Sequence, residues 1–246
     1  MTDNAIINIS GINKTYQVGE QPLHALKNIQ LHIKQGEYLS LMGPSGSGKS
    51  TLLNMIGLLD RPDTGQYQLQ GENTELLTEE QRALLRRKYI GFVFQSFHLI
   101  PRLTALENVE LPLMLAGVKA KLRQERASKL LSELGLGNHL RQLPKQLSGG
   151  QLQRVGIARA LITEPTILLA DEPTGNLDQS SGQEVTDILE RYNRNGITLL
   201  VVTHDIALGN RAQRQLNMVD GVIVSDTGLP INTTKPYQQL GSSSCT

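Results

Sequence analysis

The 246-residue sequence has a single cysteine, Cys245, so no disulfide can form within the chain, and a reducing compartment is the natural reading. Prenylation of it is not expected, because that chemistry needs the cysteine fourth from the end. No apolar run approaches the roughly 18 residues that cross a bilayer; runs such as Ile197 to Val202 are the size of strands. The N-terminal MTDNAIINISG lacks the basic start and apolar core of a signal peptide, so the chain is expected to stay in the cytoplasm. The N-x-S/T triplets at Asn8 and Asn232 are then chance matches rather than glycosylation sites. A net charge of +1 shows neither the basic excess of a nucleic-acid binder nor an acidic tail, and no nucleic-acid partner is expected.

What is present suits one sizeable α/β domain, at 39% hydrophobic and 19% charged residues. Apolar runs at Tyr38 to Met42, Gly91 to Phe94, Thr166 to Ala170 and Ile197 to Thr203 read as strands buried on both faces. Helix-like segments follow the first and third, the grammar of a mostly parallel sheet covered by helices. Ala5 to Ile33 instead shows shorter alternating segments with turn residues at Gly19, Gln21 and Pro22, which predicts a small antiparallel sheet that Gln66 to Gln70 joins. From about Pro101 to Leu161 the spacing turns helical, with Leu122, Ala127, Leu130, Leu131 and Leu134 on one face. Lys119, Lys121, Arg123, Arg126 and Lys129 read as its solvated face. One domain is expected over 1–228, with the antiparallel part near 5–35 and 65–71, the helical insertion near 96–161, and a loose polar tail over 229–246.

The chemistry starts at Gly43-Pro44-Ser45-Gly46-Ser47-Gly48-Lys49-Ser50-Thr51, which follows a strand and opens a helix, as a Walker A loop requires. Its glycines let backbone N–H groups turn inward around phosphates, and the helix N-terminus favours an anion. Lys49 would reach the β- and γ-phosphates of ATP, and the Ser50 hydroxyl would sit on Mg²⁺. A second apolar strand ends in Asp171 and Glu172, at the edge where ligands of open α/β sheets gather. Asp171 would hold Mg²⁺, directly or through water, and Glu172 would stand as general base or water-orienting group for a water attacking the γ-phosphate.

Leu147-Ser148-Gly149-Gly150-Gln151, continued as LQRVGIARAL, places a serine and two glycines at another helix N-terminus, a second anion device in the same chain. This segment resembles the signature motif of ABC ATPases. The resemblance implies a P-loop NTPase (RecA-like) core with an antiparallel β subdomain and an inserted helical subdomain. It also implies a head-to-tail pair of copies that sandwiches two ATP molecules between loop and signature, a C₂ arrangement. Within the family pattern, His204 matches the switch histidine at the γ-phosphate. Gln95 matches the glutamine that approaches the metal and links nucleotide state to the helical block. Asn176, Leu177 and Asp178 match the dimer-seam loop, and Tyr16 matches the aromatic under adenine, although an aromatic there suits packing equally. His24, His32, His98 and His139 keep a surface reading.

The stretch from Gly91 to Leu113 is similar to the branch containing lipoprotein-release, macrolide-efflux and cell-division ATPases. That resemblance implies an ATPase on the cytoplasmic face of a membrane, working through a separate permease that touches Gln95 to Leu113. Lys49 and Ser148 are 99 residues apart, which leaves no room for the long coiled coils of DNA-repair relatives. A cell-division-like regulator that moves no cargo, and a solute importer, stay open as alternatives.

Overall fold

Along the chain the elements run β1 (Ala5–Val18), β2 (Gln21–Lys34), β3 (Tyr38–Met42), α1 (Lys49–Ile56), β4 (Thr64–Leu69), β5 (Glu72–Asn73), α2 (Glu79–Tyr89), β6 (Ile90–Phe94), α3 (Ala105–Leu115), α4 (Ala120–Glu133), a 3₁₀ turn (Pro144–Gln146), α5 (Gly149–Leu161), β7 (Ile167–Asp171), α6 (Gln179–Arg194), β8 (Thr198–Val202), α7 (Ile206–Gly209), β9 (Arg214–Val219) and β10 (Val222–Asp226). The computed structural model describes residues 5–19 and 21–228, so the expected tail, Cys245 and Asn232 lie outside the described residues. Among the described residues there is no helix long and apolar enough to cross a membrane.

Two sheets form among these residues, one of four strands in the order β2-β1-β4-β5 and one of six in the order β10-β9-β3-β8-β7-β6. The first is antiparallel throughout. In the second, β9, β3, β8, β7 and β6 run parallel and only β10 is reversed. Strand alternation decides which face each residue serves. Ile167, Leu169, Leu200 and Val202 join an apolar cluster with α1 and the antiparallel sheet. Leu168, Ala170, Leu199 and Val201 join a second cluster with residues of α3, α4, α5 and α6. The six-stranded sheet is therefore covered on both faces, which is why its strands read as unbroken apolar runs.

Several expectations change in detail. The N-terminal region is one long hairpin of two 14-residue strands, with register shifts inside it, rather than several short segments. In the helical block Ala127 and Leu131 are buried, but Leu122 is 44% exposed. Arg123 does not belong to a purely solvated face, because it pairs with Glu110 at 3.2 Å. α3 and α4 share the sheet's own apolar cluster, and α5 lies so close to β6 that a Cβ on Gly91 would come within 2.5 Å of the Ala160 carbonyl. α2 has little apolar face, since only Arg82 and Leu85 are buried. What defines it is a capping box between Thr78 and Gln81, which ties the first turn together by reciprocal hydrogen bonds.

Candidate functional site

β3 delivers the chain into Gly43–Thr51 at the C-terminal edge of the sheet, and the loop's shape needs its glycines. Gly43 has φ 146°, and a Cβ there would lie 2.0 Å from the Met218 carbonyl oxygen. Gly48, at φ 100°, is the left-handed N-cap of α1 and supplies no side-chain cap. The first N–H groups of that helix thus keep their donors for an anion. Lys49 Nζ donates to the Gly43 and Pro44 carbonyls at 2.9 and 2.8 Å, held over its own loop. Ser47 is 2% exposed, and its hydroxyl has no hydrogen-bond partner among the described residues.

The carboxylates come from the end of β7. Burial first, and the neighbouring charge of Glu172 second, push the Asp171 carboxyl above its ordinary value, against the pull of Lys49 and the Ser50 hydroxyl. A cation placed between Asp171 and Ser50 would remove that penalty, so these residues fit Mg²⁺ held jointly with phosphate oxygens. Glu172 itself sits at φ 46°, in the left-handed region that ordinary side chains avoid. Its N–H donates to the Val202 carbonyl at 2.9 Å, which fixes the turn onto the next strand. Its Oε1 accepts from the His204 backbone N–H at 3.0 Å and meets His204 Nδ1 at 2.7 Å, while Oε2 accepts from the Thr203 hydroxyl at 3.2 Å. The end of β8 therefore aims the carboxylate.

Tyr16, Lys49, Gln95, Asp171, Glu172 and His204 line one cavity of about 720 Å³, together with Ser45, Gly46, Gly48, Ser50 and Thr51. Gln95 is steadied by Asn176, whose Nδ2 donates to the Gln95 carbonyl at 3.0 Å. Lys27, Asp220 and Gly221 complete the wall, and they reach the loop because the Gly221 N–H donates to the Ser47 carbonyl at 3.0 Å. Nothing in the sequence marks those three, since they arrive from β2 and from the β9–β10 turn. His24 is exposed as expected, yet it lines this cavity and contacts Thr15 Oγ1 at 3.0 Å.

Ser148, Gly149, Gly150, Gln151 and Asp178 do not line the cavity. Ser148 caps α5: its hydroxyl accepts from the Gln151 N–H at 3.3 Å, and Gln151 Oε1 accepts from the Ser148 N–H at 2.9 Å. His139 is half-buried rather than a free surface residue, bracketed by Gln142 at 2.8 Å and Gln151 at 3.3 Å. Asp178 caps α6 through Ser181. Gln153 of α5, fully buried, ties that helix to the loop after β7: its Nε2 donates to the Pro173 carbonyl at 2.7 Å, one residue beyond Glu172.

A glycine-lined phosphate loop on a mostly parallel sheet, facing an acidic strand end, defines a P-loop NTPase. The ABC transporter family pattern matches residues 26–175, and the chain belongs to that family. It is 49% identical over 226 residues to the macrolide export ATP-binding/permease protein MacB of Syntrophobacter fumaroxidans, covering 91% of this chain and 32% of that protein. The chain thus spans about a third of the length of such relatives. With the uncharacterized ABC transporter ATP-binding protein MJ1508 of Methanocaldococcus jannaschii it shares 52% identity over 89% of this chain and 98% of that protein. Among solved structures it is similar to the dimeric post-hydrolysis ATP-binding cassette MJ0796 bound to ADP and Pi, with a TM-score of 0.84 and 45% identity, covering 89% of this chain and 97% of that one.

Proposed function

We propose that the chain binds and hydrolyses ATP as the nucleotide-binding subunit of an ABC transporter, driving a membrane permease of the export or lipoprotein-release kind from the cytoplasmic face. The observation that carries this reading is the convergence of Lys49, Asp171, Glu172 and His204 on one cavity. Lys49 and the open N–H groups of α1 bind the phosphates. Ser50, Asp171 and Gln95 would hold Mg²⁺, which offsets phosphate charge when bound. Glu172, aimed by Thr203 and His204, accepts a proton from the attacking water as general base. Tyr16 offers its ring to adenine.

Each site is completed by a second copy, because Ser148 to Gln151 and Asp178 lie outside the cavity that holds the rest. ATP that contacts both copies only when they close makes binding drive closure, and hydrolysis releases it. Beside Gln95, a groove of about 350 Å³ lined by Phe92, Phe94, His98, Pro112 and Arg159 suits an inserted segment of the permease.

Mixing two inactive variants tests the shared site. Lys49→Ala destroys the phosphate cradle and Ser148→Arg blocks the signature, so a mixed pair carries one intact composite site. Recovered ATP hydrolysis on mixing is expected; no recovery, with each variant shown folded, would sink the two-copy site. Purifying the tagged chain from membranes should bring an integral membrane protein with it, and recovery of the chain alone would remove the permease from the proposal.

A further inference from the structure

Asp60 lies just beyond α1, and no sequence motif marks it, yet it organises the ring of Tyr16. The Tyr16 hydroxyl donates to Asp60 Oδ2 at 2.5 Å. On the other oxygen, Lys14 Nζ donates to Asp60 Oδ1 at 3.0 Å, and the Arg61 N–H donates to the same atom at 2.7 Å. Lys14 Nζ also reaches the Arg61 carbonyl at 2.7 Å and stands 5.2 Å from the centre of the Tyr16 ring. The Asp60 backbone is fixed in turn: its N–H donates to the carbonyl of Asn54 within α1, and its carbonyl accepts from the buried Arg82 at 2.5 Å.

One helix therefore sets two things. The first turn of α1 carries Lys49, Ser50 and Thr51, and its far end anchors the carboxylate that grips Tyr16. Proton states agree with this geometry. Burial alone would raise the Asp60 carboxyl, but the donors Tyr16, Lys14 and the Arg61 N–H outweigh it and hold it below its ordinary value. Burial, and next the bond to Asp60, push the Tyr16 hydroxyl up to about 12, so it stays a donor at neutral pH.

We propose that Asp60 is a positioning residue for nucleotide: by gripping the Tyr16 hydroxyl from the end of α1, it fixes the distance and tilt between the aromatic platform and the phosphate loop to suit a purine nucleoside triphosphate. This rests on the reading of Tyr16 as the base platform. A ring free to swing about its side-chain torsions would still offer a face, but ordering it would then oppose binding.

The test measures binding of ATP and of inorganic tripolyphosphate, which lacks a base, together with kcat and KM. Asp60→Ala is expected to weaken ATP binding about 2–10-fold, the range of a single aromatic contact, with KM rising, kcat at saturating ATP retained and tripolyphosphate binding unchanged. Asp60→Asn keeps an acceptor for the hydroxyl and should recover most of the loss. Tyr16→Phe removes the same bond while keeping the ring; it should match Asp60→Ala, and the double variant should lose no more than either alone. If Asp60→Ala folds poorly, Tyr16→Phe carries the test. Equal weakening of ATP and tripolyphosphate by Asp60→Ala, or additive losses in the double variant, would overturn the proposal. Tyr16→Ala separates the two readings: unchanged ATP affinity removes the platform itself, whereas weakened affinity beside an indifferent Asp60→Ala overturns only the positioning role.

Discussion

The phosphate loop at Gly43–Thr51 and the signature segment at Leu147–Gln151 both open a helix and both offer backbone N–H groups to an anion, but they keep those donors differently. In the first, a left-handed glycine caps α1 with no side-chain acceptor, and the loop lines the cavity. In the second, Ser148 and Gln151 satisfy each other across the first turn of α5, and the segment lies outside that cavity. The first leaves the opening backbone N–H groups of α1 without a side-chain cap, while Lys49 Nζ is held by its own loop carbonyls. The other spends the Ser148 and Gln151 N–H groups on its own capping box, so a phosphate arriving at Ser148 must compete with the bond to the Gln151 N–H. The same helix-terminus physics thus yields one open helix start inside the cavity and one capped helix start outside it, which the proposed function pairs across two copies.

The sharpest way to break this contrast is at the carboxylate. Glu172→Gln should cut hydrolysis on the order of 10²–10⁴-fold, the usual worth of a general base, while ATP still binds and holds two copies together; size-exclusion chromatography with ATP and a phosphate-release assay read both. Normal turnover would remove Glu172 from that role. Next in size, Lys49→Ala should lower ATP affinity about 10–100-fold, the loss of a charge-assisted hydrogen bond to phosphate, as calorimetry would read. Ser148→Ala should be milder and different in kind. It gives up a helix cap worth about 1 kcal/mol, leaves ATP binding to the single chain intact, and weakens ATP-dependent pairing. If instead Ser148→Ala lowers single-chain ATP affinity as Lys49→Ala does, the two half-sites are not separate.

Legibility in the sequence followed the locality of each cause. The phosphate loop could be read because its geometry is dictated by glycines within nine residues, and β7 and β8 because burial on both faces leaves unbroken apolar runs. α2 was hard to see: its helix rests on a polar cap and on Arg82 buried against the Leu58 and Asp60 carbonyls, with almost no apolar periodicity. The pair Thr78 and Gln81, three apart, was the signal available. β9 and β10 are buried on alternate residues at best rather than as unbroken apolar runs, and the exposed Val222 and Val224 blur their pattern. In and beside the site, Lys27 and Asp60 were silent because their roles arise from distant partners along the chain, Gly221 for Lys27 and Tyr16 for Asp60. No local grammar encodes such a meeting.

The smallest expected effect is one of sign, and it sets the two half-sites against each other again. Asp171 on the cradle side has its carboxyl raised by burial and by Glu172. A raised folded value means that the folded chain holds its proton more tightly than the unfolded one. Stability therefore falls as pH climbs from the ordinary aspartate range through the raised value, and the full cost is present at neutral pH. Asp178, the N-cap of α6, is the reverse: the Ser181 N–H and hydroxyl lower its carboxyl, so its charge contributes stability at neutral pH that is lost as pH falls through the lowered value. Without nucleotide, Asp171→Asn should melt slightly above the unmodified chain at pH 7, with the advantage shrinking on acidification, while hydrolysis is lost. Asp178→Asn should melt at or slightly below it, since the amide still caps α6 but no longer with charge. Thermal melts of both variants across the acid range decide this. If Asp171→Asn instead lowers the melting temperature at pH 7, the carboxylate is not held at a cost, and the contrast between an open helix start and a capped one fails at the end of β7.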